Sequence, residues 1–537
     1  MLVIKPHRKL LLNLKEPGRV ITVLPTAKEV TLKGQSIVSV PHREDEVRVL
    51  RNLGFDAPAP ISTYYDFPGR FKPYAHQRIT AEFLTLNPRS FCLNGMGSGK
   101  TISVLWAFDY LRKNDIVDYM VVLSPLSTLE RAWGDEIFRN FFDMTFAVVH
   151  GTREKRHKLL ATKFDVYVIN HDGIKSEETL AAIQALPGRG VIVVDEIAEF
   201  SNASTDRWKF LNRIVNPRIK VIAPPSHAAA GKEINLVQPA PWVWGLTGTP
   251  IPQSPEDAWA QVRLISTSRV PAYAGKFRDM VMVPLTRFKW AARPDALKIV
   301  KEVMQPAIRF SREECIDLPP TTYVTRMTTL EPEQTKAFNE MLRSMKTEVA
   351  GGQITAINAA VKASKLIQIC CGVAYGVDGD VLIPARARIE LVKEIIRESE
   401  GKVIVFAPLT GALNVLAEEL RYHFTVEVVD GSVSKSRRDD IFKRFQDGTN
   451  PHVLVANAGT MSHGLSFTAA STIIWFAPGD SNRKRMQANE RMARPGQTKN
   501  MLIVNIAATA FEQRMYDRNE QREALQDVLL EAIKEAK

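Results

Sequence analysis

Short apolar runs alternate with amphipathic stretches along most of this chain. YMVVLSP, DVYVINHD, GVIVVDE and WVWGLTGTP each start apolar and end in a polar or glycine-rich turn. Such runs read as strands buried on both faces, and strands alternating with helical segments predict a doubly wound parallel sheet. The pattern starts near residue 71. It resumes near residue 401 with KVIVFAP, FTVEVVD, HVLVANAG, STIIWFAP and MLIVNIA, where a second parallel sheet is expected. Between the two, LEPEQTKAFNEMLRSMKTEVA and INAAVKASKLIQICCG read as helices. Ahead of the first, VITVL, EVTL and SIVSV read as short strands and EDEVRVLRNLGF as a helix, followed by the proline-rich linker DAPAPISTYYDFPGR. The tail FEQRMYDRNEQREALQDVLLEAIKEAK reads as an amphipathic helix.

The fold class expected is therefore α/β, with two doubly wound parallel-sheet lobes. A small β-rich unit spans residues 1–70 and the first lobe 71–268. A helical insertion spans 269–385 and the second lobe 386–537.

Charge adds to this picture. Lys and Arg number 71 against 59 Asp and Glu, a net charge of +12. A basic surface suits a polyanion, because Lys and Arg release counterions from phosphates. The four cysteines, Cys92, Cys315, Cys370 and Cys371, form no CxxC pair, so no structural zinc is expected. The N-terminus lacks a signal-peptide pattern and no apolar run reaches about 18 residues, so no membrane span is expected and a cytoplasmic location is the default.

Ligands of parallel sheets bind at the carboxyl ends of the strands, and the chemistry falls there. FCLNGMGSGKT is a strand, a glycine-rich turn and a helix start. Gly97 and Gly99 permit a turn that aims N–H groups at phosphates, Lys100 reaches the β- and γ-phosphates, and Thr101 can ligate Mg²⁺. The strict phosphate-loop pattern wants glycine at position 94, where this chain has Asn94. GVIVVDE ends in Asp195 and Glu196, a pair suited to holding a metal and deprotonating a water. GLTGTP offers hydroxyls to a γ-phosphate. In QANERMARPGQ, Gln487, Arg491 and Arg494 recur at spacings of four and three, which would align them on one helical face. Such arginines neutralise charge on a transferring phosphate.

Taken in order, these segments resemble the superfamily 2 helicases, and within them the sucrose-non-fermenting type of translocase. The resemblance runs from about residue 72 to about 520. KPYAHQ resembles the adenine-reading motif, with Gln77 in that role. GMGSGKT is similar to that family's phosphate loop, which also lacks the first glycine, and adds Gly95 and Ser98 to the nucleotide contacts. SPLSTLERAW resembles a DNA-contacting motif, and DEIA the acidic box. DGSVSKSRRDDIFKRFQDG, ANAGTMSHGLSFTAA and QANERMARPGQ resemble the three motifs of the second lobe, which implies Gly464 and Gln487 as further nucleotide contacts.

The resemblance implies two RecA-like lobes that bind ATP and Mg²⁺ between them, with Thr101 and Asp195 on the metal. It implies an ATP-driven motor on DNA, most simply duplex DNA. Ser124, Pro125, Thr128, Asn170, Pro408, Ser432, Asn457 and Thr460 would be the DNA contacts. Partners among replication or recombination proteins would fit, and the large insertions and histone-reading domains of nucleosome remodellers are missing. One departure stands out: the acidic box continues Ile197-Ala198, where the family has Ala-His and uses that histidine to relay the ATP state. A strand-separating helicase, an RNA motor and a non-catalytic DNA-binding scaffold remain the alternatives.

Overall fold

The computed structural model describes residues 1–518 apart from 33–34, 223–232, 287–288, 316–317, 345, 350–351, 356–358, 377–378, 462–465, 480 and 495. The chain forms two compact units that part between Cys315 and Ile316.

The first unit opens on a four-stranded antiparallel sheet of β1 (Leu2–Ile4), β2 (Lys9–Leu12), β3 (Lys28–Leu32) and β4 (Gln35–Pro41), in the order β1-β2-β4-β3. The strand expected over VITVL is instead a helical turn, Gly18–Ile21. Pro17 presets the backbone angle that starts a helix, and the i, i+4 pair Val20 and Leu24 is buried as a result. Leu10, Leu12, Val38, Val40, Val47 and Leu50 lie in the same apolar cluster as Ala81, Leu84, Leu105 and Phe108 of the next lobe. The N-terminal sheet is separate as a sheet, but its core is continuous with that lobe.

The first lobe contributes β5 (Arg89–Cys92), β6 (Tyr119–Ser124), β7 (Phe146–Val149), β8 (Val166–Asn170) and β9 (Gly190–Asp195). A hairpin, β10 (Arg218–Ile222) and β11 (Glu233–Val237), precedes β12 (Trp242–Leu246). A second hairpin, β13 (Met282–Thr286) and β14 (Lys289–Ala292), precedes β15 (Ala307–Ile308). The seven-stranded sheet runs β15-β5-β12-β9-β6-β8-β7, with every pairing parallel. The helix Lys100–Lys113 is buried without a break from Ile102 to Leu111. A helix covered on every side needs packing on every side, and the N-terminal unit supplies part of it.

The second unit holds β16 (Thr321–Met327), the hairpins β17 (Lys346–Val349) with β18 (Gly352–Thr355) and β19 (Val373–Tyr375) with β20 (Asp380–Leu382), and then β21 (Lys402–Phe406), β22 (Val426–Val429), β23 (Val453–Ala456), β24 (Ala470–Trp475) and β25 (Met501–Ala507). Its six-stranded sheet runs β16-β25-β24-β21-β23-β22, again parallel throughout. Val403 and Val405 join one apolar cluster, Ile404 and Phe406 another. The period of two means that both faces of this sheet are covered.

The stretch expected as a helical insertion holds the helices Ala274–Val281, Ala296–Val303, Pro332–Ser344 and Ala359–Cys370. It also lends a strand to each sheet, β15 beside β5 and β16 beside β25. β15 is two residues long, and β16 is a mostly exposed edge strand of sequence TTYVTRM. Neither carries the apolar run that marks the central strands. Of the expected C-terminal helix, residues 519–537 lie outside the described residues. Among the described residues, no helix is long and apolar enough to cross a membrane.

Candidate functional site

Three neighbouring strands of the first sheet, β5, β12 and β9, end in register at Cys92, Leu246 and Asp195. The turns that follow therefore gather at one sheet edge, where parallel sheets bind ligands.

The turn after β5 is the glycine-rich loop. Gly97 and Gly99 both have φ of 78°, in the left-handed region that favours glycine. A Cβ at Gly99 would run into Nε2 of Gln77. Gln77 accepts from the Tyr74 N–H at 3.0 Å and donates to the Ser98 carbonyl at 3.4 Å. Nε2 of His76 holds the same carbonyl at 2.8 Å. The Lys100 ammonium donates to the carbonyls of Asn94 at 2.9 Å and Gly95 at 3.2 Å. Lys100 and Thr101 open the helix Lys100–Lys113, whose N-terminal N–H groups and dipole favour an anion. The loop fits a polyphosphate: it has a glycine cradle, a helix N-terminus and a lysine resting on its own carbonyls.

The strand β9 ends in the acidic pair. One carboxylate oxygen of Asp195 accepts from the Ser124 hydroxyl at 2.8 Å and from the Trp133 indole at 3.2 Å. Ser124 is bonded in turn to the Thr128 hydroxyl at 2.8 Å. Nε2 of His171, which follows Asn170 at the end of β8, donates to the Asp195 carbonyl at 2.9 Å. Burial pushes the His171 pKa below its ordinary value of 6.5. Glu196 sits at φ 53°, an unusual conformation for a residue with a side chain. Its carboxylate lies 3.5 Å from the Thr247 hydroxyl of the turn after β12. That hydroxyl also accepts the Thr249 N–H at 3.1 Å. Ile197 and Ala198 are both buried in the core.

The first unit thus gathers Gln77, Gly95, Gly97, Ser98, Gly99, Lys100, Thr101, Asp195 and Glu196 along one sheet edge. Ser124, expected to touch nucleic acid, is fully buried with its hydroxyl on Asp195. Trp133 and His171 were not singled out from the sequence. Their signal was position: a histidine at the carboxyl end of a buried parallel strand, and a tryptophan just after another.

In the second unit, Pro408 and Asn457 follow β21 and β23 and line a cavity of about 370 Å³ with Lys484 and Arg485. Asn457 donates to the Pro408 carbonyl at 3.4 Å, and Thr460 to the Val429 carbonyl at 3.2 Å. Ser432 is exposed and donates to Asp430 at 2.6 Å, which holds that carboxyl below the usual range. Gln487 is buried on the helix Asn482–Asn489. The expectation that one helical face carries Gln487, Arg491 and Arg494 is not met, since the helix stops at Asn489 and both arginines follow it. Pro495 next in sequence disfavours helix at the residue before it. Nη1 of Arg494 lies 3.5 Å from the Ser466 hydroxyl, and burial pushes the Arg494 pKa down. Gly464 lies outside the described residues.

Residues 91–222 match the SNF2-related domain, and residues 387–496 match the helicase conserved C-terminal domain. The chain thus carries a match to an SNF2-related domain in its first unit and to a helicase conserved C-terminal domain in its second. With both present it is an ATPase of the nucleic-acid-stimulated kind. A phage protein called p41, from Acyrthosiphon pisum secondary endosymbiont phage 1, is 23% identical over 494 residues, covering 86% of this chain and 99% of that one. Human chromodomain-helicase-DNA-binding protein 7 is 22% identical over 482 residues. That match takes in 82% of this chain but 15% of the human protein, so this chain spans only a small part of that relative. The SWI2/SNF2 ATPase core of Sulfolobus solfataricus, solved in complex with double-stranded DNA, aligns with a TM-score of 0.41 and 20% identity, over 87% of this chain and 95% of that one.

Proposed function

We infer that the chain hydrolyses ATP and uses the cycle to move along duplex DNA. The observation that carries the reading is the meeting, at the ends of the two strands that flank β12, of a glycine phosphate cradle and an acidic pair. The phosphates of ATP would lie on Gly95, Gly97, Ser98, Gly99, Lys100 and Thr101, with the base beside Gln77. Lys100 would leave its carbonyls for the β- and γ-phosphates. Mg²⁺, held by Thr101 and Asp195, would supply neutralising charge at the phosphates. Glu196 orients the attacking water and takes its proton. Gln487, Arg491, Arg494 and Gly464 complete the nucleotide contacts, the arginines against charge developing on the γ-phosphate.

Pro125, Thr128, Asn170, Pro408, Ser432, Asn457 and Thr460 are the proposed DNA contacts, with Ser124 behind them reporting to Asp195. A net charge of +12 supports a polyanion. The human relative is named for DNA binding, which favours DNA over RNA. Replication, recombination or repair in a bacterial or phage-infected cytoplasm is the proposed setting. One observation favours strand separation as a second reading: β10–β11 and β13–β14 are free-standing hairpins, and β11 exposes Leu236 and Val237.

Steady-state ATPase activity with no nucleic acid, duplex DNA, single-stranded DNA and RNA tests the proposal, with Lys100→Ala as control. Stimulation by duplex DNA that the variant lacks is expected. Stimulation by single strands or RNA alone would overturn the duplex reading.

A further inference from the structure

The phosphate loop begins with an asparagine, and that side chain is fully engaged. Asn94 is 1% exposed. Its Nδ2 donates to the Thr80 hydroxyl at 2.8 Å, and its Oδ1 accepts the backbone N–H of Phe310 at 2.9 Å. Thr80 lies on the helix Ala75–Leu86, which also carries Gln77. Phe310 lies two residues beyond β15, and the first unit ends at Cys315. One amide therefore ties the loop to the Gln77 helix on one side and to the exit segment of this unit on the other. A glycine at 94, as the strict loop pattern asks, could make neither bond.

The exit segment follows the loop closely. The Leu93 N–H donates to the Ile308 carbonyl at 2.8 Å and the Gly95 N–H to the Phe310 carbonyl at 2.9 Å. Both backbone groups of Phe310 are thus bonded to the start of the loop. Its ring lies 5.9 Å from His76, the residue that holds the Ser98 carbonyl. A Cβ at Gly95 would fall 3.0 Å from the Arg312 nitrogen and 3.3 Å from Nη1 of Arg309, so there is no slack between loop and segment. In close-packed contacts a shift on one side is felt on the other.

The same peptide holds the cation that a phosphate would draw away. Lys100 rests on the Asn94 and Gly95 carbonyls. A phosphate that takes the Lys100 ammonium removes the cation from those two carbonyls. The peptide that loses it is the one bonded to Phe310.

We propose that Asn94 is a positioning residue that couples occupancy of the phosphate loop to the exit segment Ile308–Cys315, and through it to nucleic-acid stimulation of ATP turnover. The inference rests on the ATPase reading above. A purely structural Asn94 would instead lower stability and all kinetic constants together.

The test uses the full chain with Asn94→Ala, Asn94→Asp and Thr80→Val. Asn94→Ala loses both arms, Asn94→Asp keeps an oxygen for the Phe310 N–H, and Thr80→Val removes only the Thr80 arm. ATP KM and kcat are read with and without saturating duplex DNA. Asn94→Ala should lower the stimulation ratio by about tenfold, the usual size of a coupling between sites, and lower basal kcat far less. Asn94→Asp and Thr80→Val should keep most of the stimulation. Equal loss in all three variants, or full stimulation in Asn94→Ala, would overturn the proposal. Hydrogen exchange over residues 308–315, with and without a non-hydrolysable ATP analogue, gives a readout independent of DNA. Nucleotide should change exchange there in the parent chain and not in Asn94→Ala. No change in the parent chain would sink the coupling, whereas a parent chain that DNA fails to stimulate would sink only the motor reading.

Discussion

The Ser124 hydroxyl donates to the Asp195 carboxylate at 2.8 Å. Trp133 adds a second donor at 3.2 Å, so the acidic box is oriented by the segment just beyond β6. A hydrogen bond to a charged group contributes about 1.5–3 kcal/mol. Ser124→Ala should therefore leave Asp195 less well aimed at a metal. The expected result is a higher Mg²⁺ concentration for half-maximal ATP turnover, read by Mg²⁺ titration of the parent chain and the variant. An unchanged Mg²⁺ requirement would assign Ser124 to packing alone.

Lys100 opens the helix after β5 and Glu196 follows β9 at the same sheet edge, and the proposed mechanism gives each a separate task. Lys100→Ala and Glu196→Gln should each abolish turnover with little change in melting temperature. Arg494→Ala should bind a fluorescent ATP analogue normally yet fail to hydrolyse ATP. Parallel loss of binding and hydrolysis in Arg494→Ala would argue that the arginine supports the fold rather than the transferring phosphate.

The central strands were legible because their residues are apolar on both faces, as in β6, β9, β21 and β24. The loop from Gly97 to Thr101 was legible because its glycines and lysine follow such a strand directly. What stayed hidden has physical causes. β15 is too short for any period to show, and β16 lies at an edge where polar residues cost nothing. VITVL looks β-like until the helical start set by Pro17 is counted. Trp133 and His171 read as ordinary core residues, because a hydrogen bond to a residue 62 or 24 positions away leaves no local pattern. The continuous core beneath residues 1–70 was invisible for the same reason, since it depends on which helix faces the N-terminal sheet cover.

Arg388 and Glu512 form an ion pair at 2.6 Å with both side chains buried. Arg388 also donates to the Phe476 carbonyl, at the start of the segment that leads from β24 into the helix Asn482–Asn489. Removing one partner of such a pair leaves a buried charge alone and costs about 3–5 kcal/mol. Glu512→Ala should lower the melting temperature of the second unit by on the order of 10 °C. The double variant Arg388→Met/Glu512→Leu should recover most of that loss, because no charge is then stranded. A double variant as unstable as the single one would show that shape, rather than charge, holds this corner.

Acid should weaken the first unit through its buried histidines. His171 bonds the Asp195 carbonyl, and His42 lies between the Tyr64 hydroxyl and the Pro58 carbonyl at 2.8 Å each. Burial lowers both pKa values below the ordinary 6.5. Above pH 6.5 both rings are neutral, folded or unfolded, and stability is at its full value. As pH falls below 6.5 the unfolded chain takes up protons first, so stability drops by about 1.4 kcal/mol per pH unit per histidine, until the pH passes the lower folded value. Urea unfolding at pH 7.5 and pH 5.5 should show this loss. His171→Gln keeps an N–H for the Asp195 carbonyl and has no proton to gain, so it should flatten the pH dependence by one histidine's share. If the variant and the parent chain lose stability equally over that range, His171 accepts its proton in the folded state without penalty, and acid sensitivity must come from elsewhere in the unit.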